Sequence, residues 1–547
     1  MVFLFILYHW LNLLVKEFLF TLNPTQPIFM KSFFLTFLVL FSLHFTLYAQ
    51  EISKGADFVN EKKFDLREII GADETGYYTL QTAAQGFSVI FSISKFDRSL
   101  VPGKTVPLAP LFNKEELTVE SVILSNGKLN LLSSNINKKL KKKILYHQTI
   151  DKNSLVLNND IRQIAEVEFQ SFFKGGNILI DKSSDNSRIL ISCFPPRNDA
   201  KPKTVDYLVF DQDMKLQWQK NVTFPKELEG LYYNTRHVTK SGSVVIAPSL
   251  LENTIPGYDF SVGANSGYKV LLINKEGIIE KFELNLDKFY GKKIQFKITA
   301  NDELICTGMY RKDPKALNTS DGIFYFKIDP VSKKVTKTLK EFPIEFITKY
   351  LSKKREEDLA KKDDKGKDLG LYDFNITSLH IKKDGGCYYI AEQYEIDKDL
   401  QNTGVGDGNT TSSVTFYYRS IVVINFNKEG VLQWMEAIPK VQVSSDNVYL
   451  SYVPALYNDE LYILFNDHSE NQQLWQTGKL KNFTSKDAGC VTLVKLDKTG
   501  KQERKVLDKT KAPIFIVPFY KKQLSDKELI FYNGKDDKKW FSSLRFK

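Results

Sequence analysis

Cysteine and histidine are scarce in this chain, which has 547 residues but only 4 Cys and 6 His. Cys193, Cys306, Cys387 and Cys490 form neither a CxxC pair nor a Cys/His spacing typical of a metal site. Each lies in or beside an apolar strand, which favours buried, free thiols. The sequence therefore predicts no metal site, no cofactor and no disulfide framework.

The short motifs of common enzymes are also missing. The chain contains no P-loop, no GxSxG, no HExxH and no EF-hand loop, so no catalytic residue is predicted. A concentrated basic patch is missing too. The net charge of +11 is spread over lysine-rich turns, where lysines serve solubility and discourage edge-to-edge strand pairing. We therefore expect no nucleic-acid partner.

A linker rich in Pro, Gly or Ser is absent between the patterned segments, which argues against a multi-domain β-sandwich. The length is far above the ~150 residues of a typical domain, so one large repeat assembly is favoured. The chain is 42% hydrophobic and contains 40 Phe and 26 Tyr, and this aromatic content favours β-structure over helix bundles.

A strand–turn–strand pattern recurs along the chain and is clearest at residues 414–438, where an apolar run turns at Gly430 and leaves through Trp434. Gly supplies the positive φ that such turns need. The repeat has two halves. The first half is predicted at residues 69–80, 121–132, 182–193, 237–247, 297–308, 379–394 and 454–465. The second half is predicted at residues 87–101, 142–157, 206–218, 268–282, 323–339, 414–438 and 490–507.

Seven first halves alternating with seven second halves give about four strands per unit, which is typical of a β-propeller with one blade per unit. Blades stack face to face, which explains continuous apolar runs in place of strict alternation. A closed ring needs its end strands paired. We therefore predict that three C-terminal strands pair with one strand from residues 51–60 as an eighth blade. A seven-bladed ring with a C-terminal extension is the alternative.

The N-terminus reads as an export signal. Residues 30–49 combine a basic start, an apolar core and a small residue at Ala49, which is typical of a secretory signal peptide. Residues 1–29 are interpreted as a misassigned upstream extension, with a membrane anchor at residues 1–22 as the alternative. The mature chain, residues 50–547, is predicted to be a single propeller domain without a stable membrane span, exported to the periplasm, outer envelope or exterior.

Two segments interrupt the strand pattern. Residues 343–370 are highly charged and predict a short helical insertion, with Glu357 and Lys361 as an i,i+4 pair. Residues 395–413 include a stretch rich in Gly and Thr that predicts a polar loop. Binding sites often lie on loops that a rigid scaffold carries, so both segments are candidates for a partner-binding face. The alternative is that they are tolerated surface insertions.

Several polar side chains lie at predicted strand ends, where they would reach a rim of the ring. His237 and His380 each precede a first-half turn, and Glu392 with Gln393 ends an apolar strand. The candidate binding residues are Arg236, His237, His380, Glu392, Gln393 and Arg419. The sequence does not establish whether they converge, and a hydrogen-bonded edge residue is the alternative for each histidine.

The motif LQW occurs at residues 216–218 and again at residues 432–434. It resembles the tryptophan-docking strand of quinoprotein-type propeller repeats, although most copies here lack the Trp. Three segments, DGGCYYIAEQY, IVVINFNKEGVLQWMEAIPK and FNDHSEN, resemble a family of uncharacterised exported bacterial proteins over most of residues 60–535. This resemblance implies export and a repeat architecture, and it implies no activity.

Two functional hypotheses from different classes follow. The first is an exported, non-enzymatic, monomeric propeller that binds a protein or glycan at the cell envelope. The alternative is an envelope hydrolase or lyase that acts on carbohydrate through rim carboxylates. Hydrolysis of a glycoside needs two carboxylates ~5–10 Å apart, and a partner for Glu392 cannot be assigned from the sequence.

Overall fold

The strands are numbered along the chain. The computed structural model describes residues 50–58, 64–86, 88–171, 174–198, 201–232, 234–247, 268–315, 319–348, 371–401, 411–484, 489–507, 515–535 and 538–546. Contacts divide the chain into two compact units. One unit comprises Met1–Glu51 with Arg545–Lys547, and most of it lies outside the described residues, as do the predicted signal peptide and upstream extension. The other, Ile52–Leu544, contains the β-propeller.

Eight antiparallel sheets follow one another along the chain, and each forms one blade. The first four blades contain these strands, from the inner edge outwards: β2 (Asp65–Asp73), β3 (Gly76–Gln85), β4 (Ser88–Phe96), β5 (Pro102–Leu108); β8 (Thr118–Ser125), β9 (Lys128–Asn137), β10 (Lys142–Ile150), β11 (Arg162–Ser171), β12 (Lys174–Gly175); β13 (Asn177–Lys182), β14 (Arg188–Phe194), β15 (Thr204–Asp211), β16 (Leu216–Thr223); β17 (Arg236–Val238), β18 (Val244–Ile246), β19 (Tyr268–Ile273), β20 (Ile279–Leu284).

The other four blades repeat this order: β21 (Tyr290–Ile298), β22 (Leu304–Arg311), β24 (Gly322–Asp329), β25 (Lys334–Glu341); β27 (Phe374–Ile381), β28 (Cys387–Gln401), β29 (Thr411–Phe426), β30 (Leu432–Ile438); β32 (Val453–Tyr457), β33 (Glu460–His468), β34 (Gly489–Leu496), β35 (Gln502–Val506); β36 (Ile516–Ser525), β37 (Glu528–Lys535), β38 (Lys538–Phe546), β1 (Gln50–Lys54). Inner strands of neighbouring blades contact one another, for example β2 with β8 and with β36, so the blades form a ring.

Short elements lie between the blades. The paired strands are β6 (Leu111–Phe112) with β7 (Glu115–Glu116), β23 (Thr319–Ser320) with β26 (Leu371–Tyr372), and β31 (Gln442–Ser444) with β29. The described helical segments are a 3₁₀ helix (Lys226–Leu231), α1 (Ile344–Thr348) and α2 (Asn471–Leu474).

The predicted order of strands is confirmed in all seven units, with two displaced strands. In the first blade, residues 97–101 form a turn, and the outer strand β5 follows it at Pro102–Leu108. In the second blade, residues 151–157 do not form the outer strand. Leu157 makes only an isolated bridge to Ile150, and the outer strand is β11, whose Glu166 pairs with Ile144. Asp151 explains the displacement, because its carboxylate accepts hydrogen bonds from the backbone of Asn153 and Ser154 and so forms a turn.

The ring closes through an eighth blade, as predicted. The N-terminal strand β1 lies at the outer edge of the sheet that β36, β37 and β38 form. Beyond β1, the N–H of Gly55 donates to the carbonyl of Phe541 at 2.9 Å, and that of Phe58 donates to the carbonyl of Lys539 at 2.8 Å. The first and last parts of the propeller are thus held together by backbone hydrogen bonds. Strand β1 covers β38, which would otherwise be an exposed edge.

The continuous apolar run in β29 is buried from both sides. Val422 and Ile424 belong to the core that the sixth blade shares with the fifth, whereas Ile421 and Val423 belong to the core shared with the seventh. Because successive side chains of a strand point to opposite faces, a blade between two neighbours needs apolar residues at consecutive positions.

The two predicted interruptions are resolved in part. Of residues 343–370, only 343–348 are described, and they contain helix α1; the Glu357 and Lys361 pair lies outside the described residues. The prediction of a polar loop at 395–413 is wrong for its flanks, since residues 395–401 and 411–413 are paired strand. They extend the hairpin of β28 and β29 as far as the pair Gln401 and Thr411.

The four cysteines are free and buried, as predicted. Burial raises the pKa of the Cys193 and Cys387 thiols to about 12. A thiol with so high a pKa carries little of the reactive thiolate, so these cysteines serve as small core residues.

Candidate functional site

A cavity of about 740 Å³ lies where six blades bring together the ends of their inner strands and the turns that follow. The first three blades supply residues 70–73, 124–127 and 181–186. The fourth blade supplies His237, Val238 and Lys240, the fifth supplies residues 296–300, and the eighth supplies residues 522–524. Each inner strand enters a tight turn here, and the turns carry Asn, Ser, Asp, Thr and Lys. This volume lies in the range of small-ligand sites.

In four consecutive blades, the third to the sixth, the inner strand carries a polar side chain two residues before its turn begins. The turns begin at Ser183, Thr239, Thr299 and Lys382, whose N–H groups donate to residues at the start of the next strand. Two residues before each of these lie Asp181, His237, Lys297 and His380. The repeat geometry therefore places four titratable side chains at equivalent inner-strand positions.

His237 lies between an acid and an aromatic ring. Its Nδ1 is 3.3 Å from Oδ2 of Asp181 in the preceding blade. Its imidazole stacks on Phe296 of the following blade, with ring centroids 5.3 Å apart and an interplanar angle of 22°. All three side chains line the cavity. The Asp181 carboxylate orients the imidazole, and the stacked pair presents an aromatic surface beside polar groups.

Four lysines line the cavity: Lys182, Lys240, Lys297 and Lys522. The ammonium of Lys522 donates to the carbonyls of Ile69 and Ile70 at 3.1 and 2.5 Å. Burial, together with the nearby charge of Lys182, lowers the pKa of Lys522 to about 8. Lys182 acts by repulsion, because a second positive charge nearby disfavours the protonated form of Lys522.

The acids of the cavity are satisfied locally. Burial would raise the pKa of Asp73, but hydrogen bonds from Lys152 and Thr75 hold it below its ordinary value. Burial also acts to raise the pKa of Asp185, and hydrogen bonds from Ser183 and Ser187 lower it. Because Asp73 and Asp185 already accept hydrogen bonds from neighbouring side chains, the charge that a ligand can reach in the cavity is mostly positive.

The predicted residue Arg236 is 5% exposed and packs between the third and fourth blades. Its Nε donates to the hydroxyl of Tyr207 at 3.0 Å, and its guanidinium lies 4.4 Å from the ring centroid of Phe194. It also donates to the backbone carbonyls of Tyr232 and Asn234. Arg236 therefore joins the third and fourth blades, and only its neighbour His237 lines the cavity.

His380 lies on the inner strand of the sixth blade, with its Nε2 3.1 Å from Oγ of Ser378. Burial, with the nearby charges of Lys297 and Lys521, lowers the pKa of His380 to about 3. The imidazole is therefore neutral at physiological pH, and His380 is not among the residues that line the cavity.

Glu392 lies deep inside the sixth blade. Its Oε1 is 2.7 Å from the ammonium of Lys440, and both side chains are 0% exposed. Its Oε2 accepts a hydrogen bond from Ser451 at 2.5 Å. Burial lowers the pKa of Lys440, whereas Glu392 raises it. A carboxylate enclosed in this way has no access to a ligand in this conformation.

Gln393 and Arg419 lie on strands β28 and β29, away from the cavity. Gln393 pairs with Phe374 next to an irregularity in the strand register. Arg419 lies 3.5 Å from Oε2 of Glu395, and its guanidinium is 5.1 Å from the ring of Tyr417. The six predicted residues thus do not come together in the cavity, and a binding role for those outside it stays a prediction.

The cavity and the two sequence interruptions belong to opposite faces. Each blade is a meander, so the turn after its inner strand emerges on one face. The outer strand β25 ends on the other face, where α1 begins, and the hairpin of β28 and β29 extends on that face as well. The site therefore lies on the face with short turns.

The sequence did not predict five cavity residues on which the site depends: Asp181, Lys182, Phe296, Lys297 and Lys522. The first four lie one to three residues before a turn, and His237 likewise lies two residues before one. Aligning the first halves on their turns would have found these positions, but a repeat alignment does not show which blades face one another. Lys522 lies in the C-terminal strands, outside the seven predicted repeats.

In the part of the chain that the structure describes, no three His, Cys, Asp or Glu side chains group in a way that would hold a metal ion. Within the same residues, no helix combines the length and apolar character that crossing a membrane requires.

Several solved structures are similar to this chain. The β-propeller domain of the Trilobed protease from Pyrococcus furiosus matches 84% of this chain and 99% of its own length at 12% identity, with a TM-score of 0.31. The polysaccharide lyase Uly1 matches 90% of this chain and 96% of its own length at 9% identity, with a TM-score of 0.33. The acylaminoacyl peptidase of Pyrococcus horikoshii matches 86% of this chain at 13% identity, with a TM-score of 0.34, and this chain spans only 58% of it.

No protein-family model matches the sequence, and no curated protein matches it. The resemblances to exported bacterial proteins and to quinoprotein repeats therefore stay predictions. The TM-scores are too low to transfer a ligand or an activity. The propeller fold rests on the strand order and closure of the chain itself.

Proposed function

We propose that this chain is an exported, non-enzymatic propeller that binds a protein or glycan partner at the cell envelope, and that the binding site is the central cavity. The observation that carries this proposal is the convergence of six blades on one cavity of about 740 Å³ with a mixed polar and aromatic lining. Export rests on the signal-like segment at residues 30–49.

The cavity has the composition of a recognition site. Small-molecule and group-binding sites combine an aromatic or apolar surface with a few placed polar groups. Here Phe296 and His237 supply the aromatic surface, and Asp181 with Lys297 supplies opposite charges at equivalent strand positions. The inner strands that hold these residues are paired on a rigid sheet, so the site is largely formed before binding.

Replacing Phe296 with Ala tests this assignment. We expect binding of the exported chain to an isolated cell-envelope fraction to fall about tenfold or more, because the aromatic surface is removed. The matched control is Lys334→Ala, an exposed residue on the outer strand of the same blade. If Phe296→Ala folds with an unchanged far-UV spectrum and binds as the control does, the cavity is not the site.

A second candidate function rests on the Asp181 and His237 pair. A histidine 3.3 Å from a carboxylate is an arrangement that transfers protons, and it supports a hydrolase or lyase that acts on carbohydrate. Incubating the chain with envelope polysaccharide and measuring new reducing ends or unsaturated products tests this function. Cleavage that His237→Gln abolishes while binding persists would favour the enzyme.

A further inference from the structure

We infer that the cavity binds an acidic glycan, with the sugar carboxylate held by Lys182, Lys297 and Lys522. This inference rests on the proposed function, because it names the chemistry of the ligand that the same cavity takes. The three lysines come from the third, fifth and eighth blades and all line the cavity, so only the closed ring brings these residues to one site.

No described acid neutralises these lysines, although the Lys522 ammonium already donates to the carbonyls of Ile69 and Ile70 and keeps one N–H for a ligand. Among the described residues, no carboxylate lies within 4.0 Å of the ammonium groups of Lys182, Lys297 and Lys522. In contrast, the cavity residue Lys240 faces Asp185 at 3.8 Å. Lys297 is exposed on its strand. A ligand carboxylate would relieve the repulsion between Lys182 and Lys522 and would form charge-assisted hydrogen bonds.

The remaining lining favours a sugar over an acidic peptide. A sugar ring has apolar C–H faces, which pack on an aromatic surface such as Phe296 with His237, and a rim of hydroxyl groups. Asp181, Ser184 and Asn186 lie on the third blade beside that surface. Their carboxylate, hydroxyl and amide groups accept and donate the hydrogen bonds that hydroxyls need. A glutamate peptide offers neither an apolar ring face to pack on Phe296 nor a rim of hydroxyl groups for these partners.

The cavity also fits the size of a short oligosaccharide. Its volume of about 740 Å³ is in the ~300–1,000 Å³ range of sites that enclose drug-sized ligands. The turns around it are short, so the site is a fixed recess on one face of the ring. We therefore expect recognition of a few sugar units and not of a long stretch of chain.

The test is calorimetric titration of the exported chain with three probes of equal length: trigalacturonic acid, the neutral trisaccharide maltotriose and a triglutamate peptide. We expect trigalacturonic acid to bind at least tenfold tighter than either other probe. Its affinity should fall as salt is raised from 50 to 500 mM, because screening weakens the attraction between charges. Equal affinity for maltotriose overturns the role of the lysines, and equal affinity for triglutamate overturns the glycan.

Charge-removing variants complete the test. Lys182→Gln and Lys297→Gln should each weaken trigalacturonic acid about tenfold or more, the usual cost of losing a charged hydrogen bond. Lys334→Gln, on the outer strand of the fifth blade, should leave affinity unchanged. Lys297→Gln replaces an exposed side chain, so it keeps the test valid if Lys182→Gln fails to fold. Unchanged affinity in Lys297→Gln overturns the inference.

The envelope-binding experiment separates the two proposals. If Phe296→Ala loses envelope binding while the lysine variants keep it, the cavity is the site and the ligand is not acidic. If Phe296→Ala and both lysine variants all keep envelope binding, the cavity is not the site and both proposals fail.

Discussion

At the scale of the residue, the largest departure from expectation is Glu392. The sequence places it at the end of an apolar strand, which favours a rim position. The structure places it opposite Lys440 at 2.7 Å, with both side chains fully buried. Gln442 accepts a further hydrogen bond from the Lys440 ammonium at 2.7 Å. Buried ion pairs of this kind are retained only when each charge has partners, so the pair is a structural feature of the sixth blade.

Replacing Lys440 with Met should therefore destabilise the protein by about 3–5 kcal/mol, because it leaves the Glu392 carboxylate buried without its cation. Urea-induced unfolding would measure this change. The double variant Lys440→Met with Glu392→Leu should be less destabilised than the single variant, since it buries no lone charge. Lys334→Met is the exposed control. A single variant as stable as wild type would show that water reaches this pair.

The Lys522 ammonium predicts a pH dependence of stability. Its pKa is about 8 in the folded protein, against an ordinary value of 10.5. Between these values the unfolded chain binds more protons, so unfolding becomes less favourable as pH rises. The charged groups that act on Lys522 are Lys182, which lowers its pKa, and Glu68, which raises it.

We therefore expect the free energy of unfolding of wild type, minus that of Lys522→Met, to increase from pH 7.5 to 9.5. Burial of Lys521 also lowers its pKa to about 8, but Lys521 is present in both proteins and cancels in the difference. A difference that stays constant over this interval would show that Lys522 titrates normally.

At the scale of the element, β28 and β29 form the longest hairpin in the part of the chain that the structure describes. Within the sixth blade it contributes the two middle strands. Beyond the blade it continues to the pair Gln401 and Thr411. The short strand β31 pairs with this extension from Phe416 to Tyr418. The hairpin is thus an individual feature added to a regular blade, and it extends on the face opposite the cavity.

Replacing residues 349–368 with a short Gly-Ser linker should leave the fold intact, because loop closure changes by only ~0.6 kcal/mol for each doubling of length. Trigalacturonic acid binding should also stay unchanged, since the cavity is on the other face. Circular dichroism and calorimetry would measure both. Weakened envelope binding in a folded linker variant, with intact trisaccharide binding, would instead assign a partner to the face that carries residues 343–370 and 395–413.

At the scale of the whole molecule, the ring depends on the segment from Ile52 to Phe58. Phe58 packs on Phe96 of the first blade and on Phe541 of the eighth, with ring centroids 5.3 and 5.9 Å apart. Gly55 is buried where the segment passes between Leu100 and Phe541. The N-terminal segment thus contacts both the first and the last blade of the propeller, and it closes the ring by packing as well as by backbone pairing.

A methyl group at Gly55 should open this closure. A Cβ atom there would lie 2.5 Å from Cβ and from the carbonyl oxygen of Leu100, and the backbone cannot move away without breaking the hydrogen bond to Phe541. We expect Gly55→Ala to destabilise the protein by about 1–3 kcal/mol, as overpacking does. The neighbouring variant Ala56→Ser is the control. Equal melting temperatures for the two variants would contradict this description of the closure.

The sequence by itself determined the blades. Turn residues and runs of β-branched and aromatic residues are local signals, and they place the strands of seven units and predict the eighth. Some local signals misled. In the second blade, the outer strand was predicted to end by residue 157, but Asp151 forms a turn there and the outer strand is β11. Glu392 misled for the same kind of reason: a strand end was predicted where β28 continues to Gln401.

The tertiary structure alone decided the site. Lys182, Lys297 and Lys522 are far apart in the chain and lie in ordinary strand ends, so no local pattern distinguishes them from lysines at the surface. They meet because the blades curve into a ring and the inner strands of the third, fifth and eighth blades share one cavity. The same packing encloses Glu392 and Arg236, which the sequence had placed at the rim. Burial and proximity across blades are properties of the closed ring, and they decide which charges a ligand can reach.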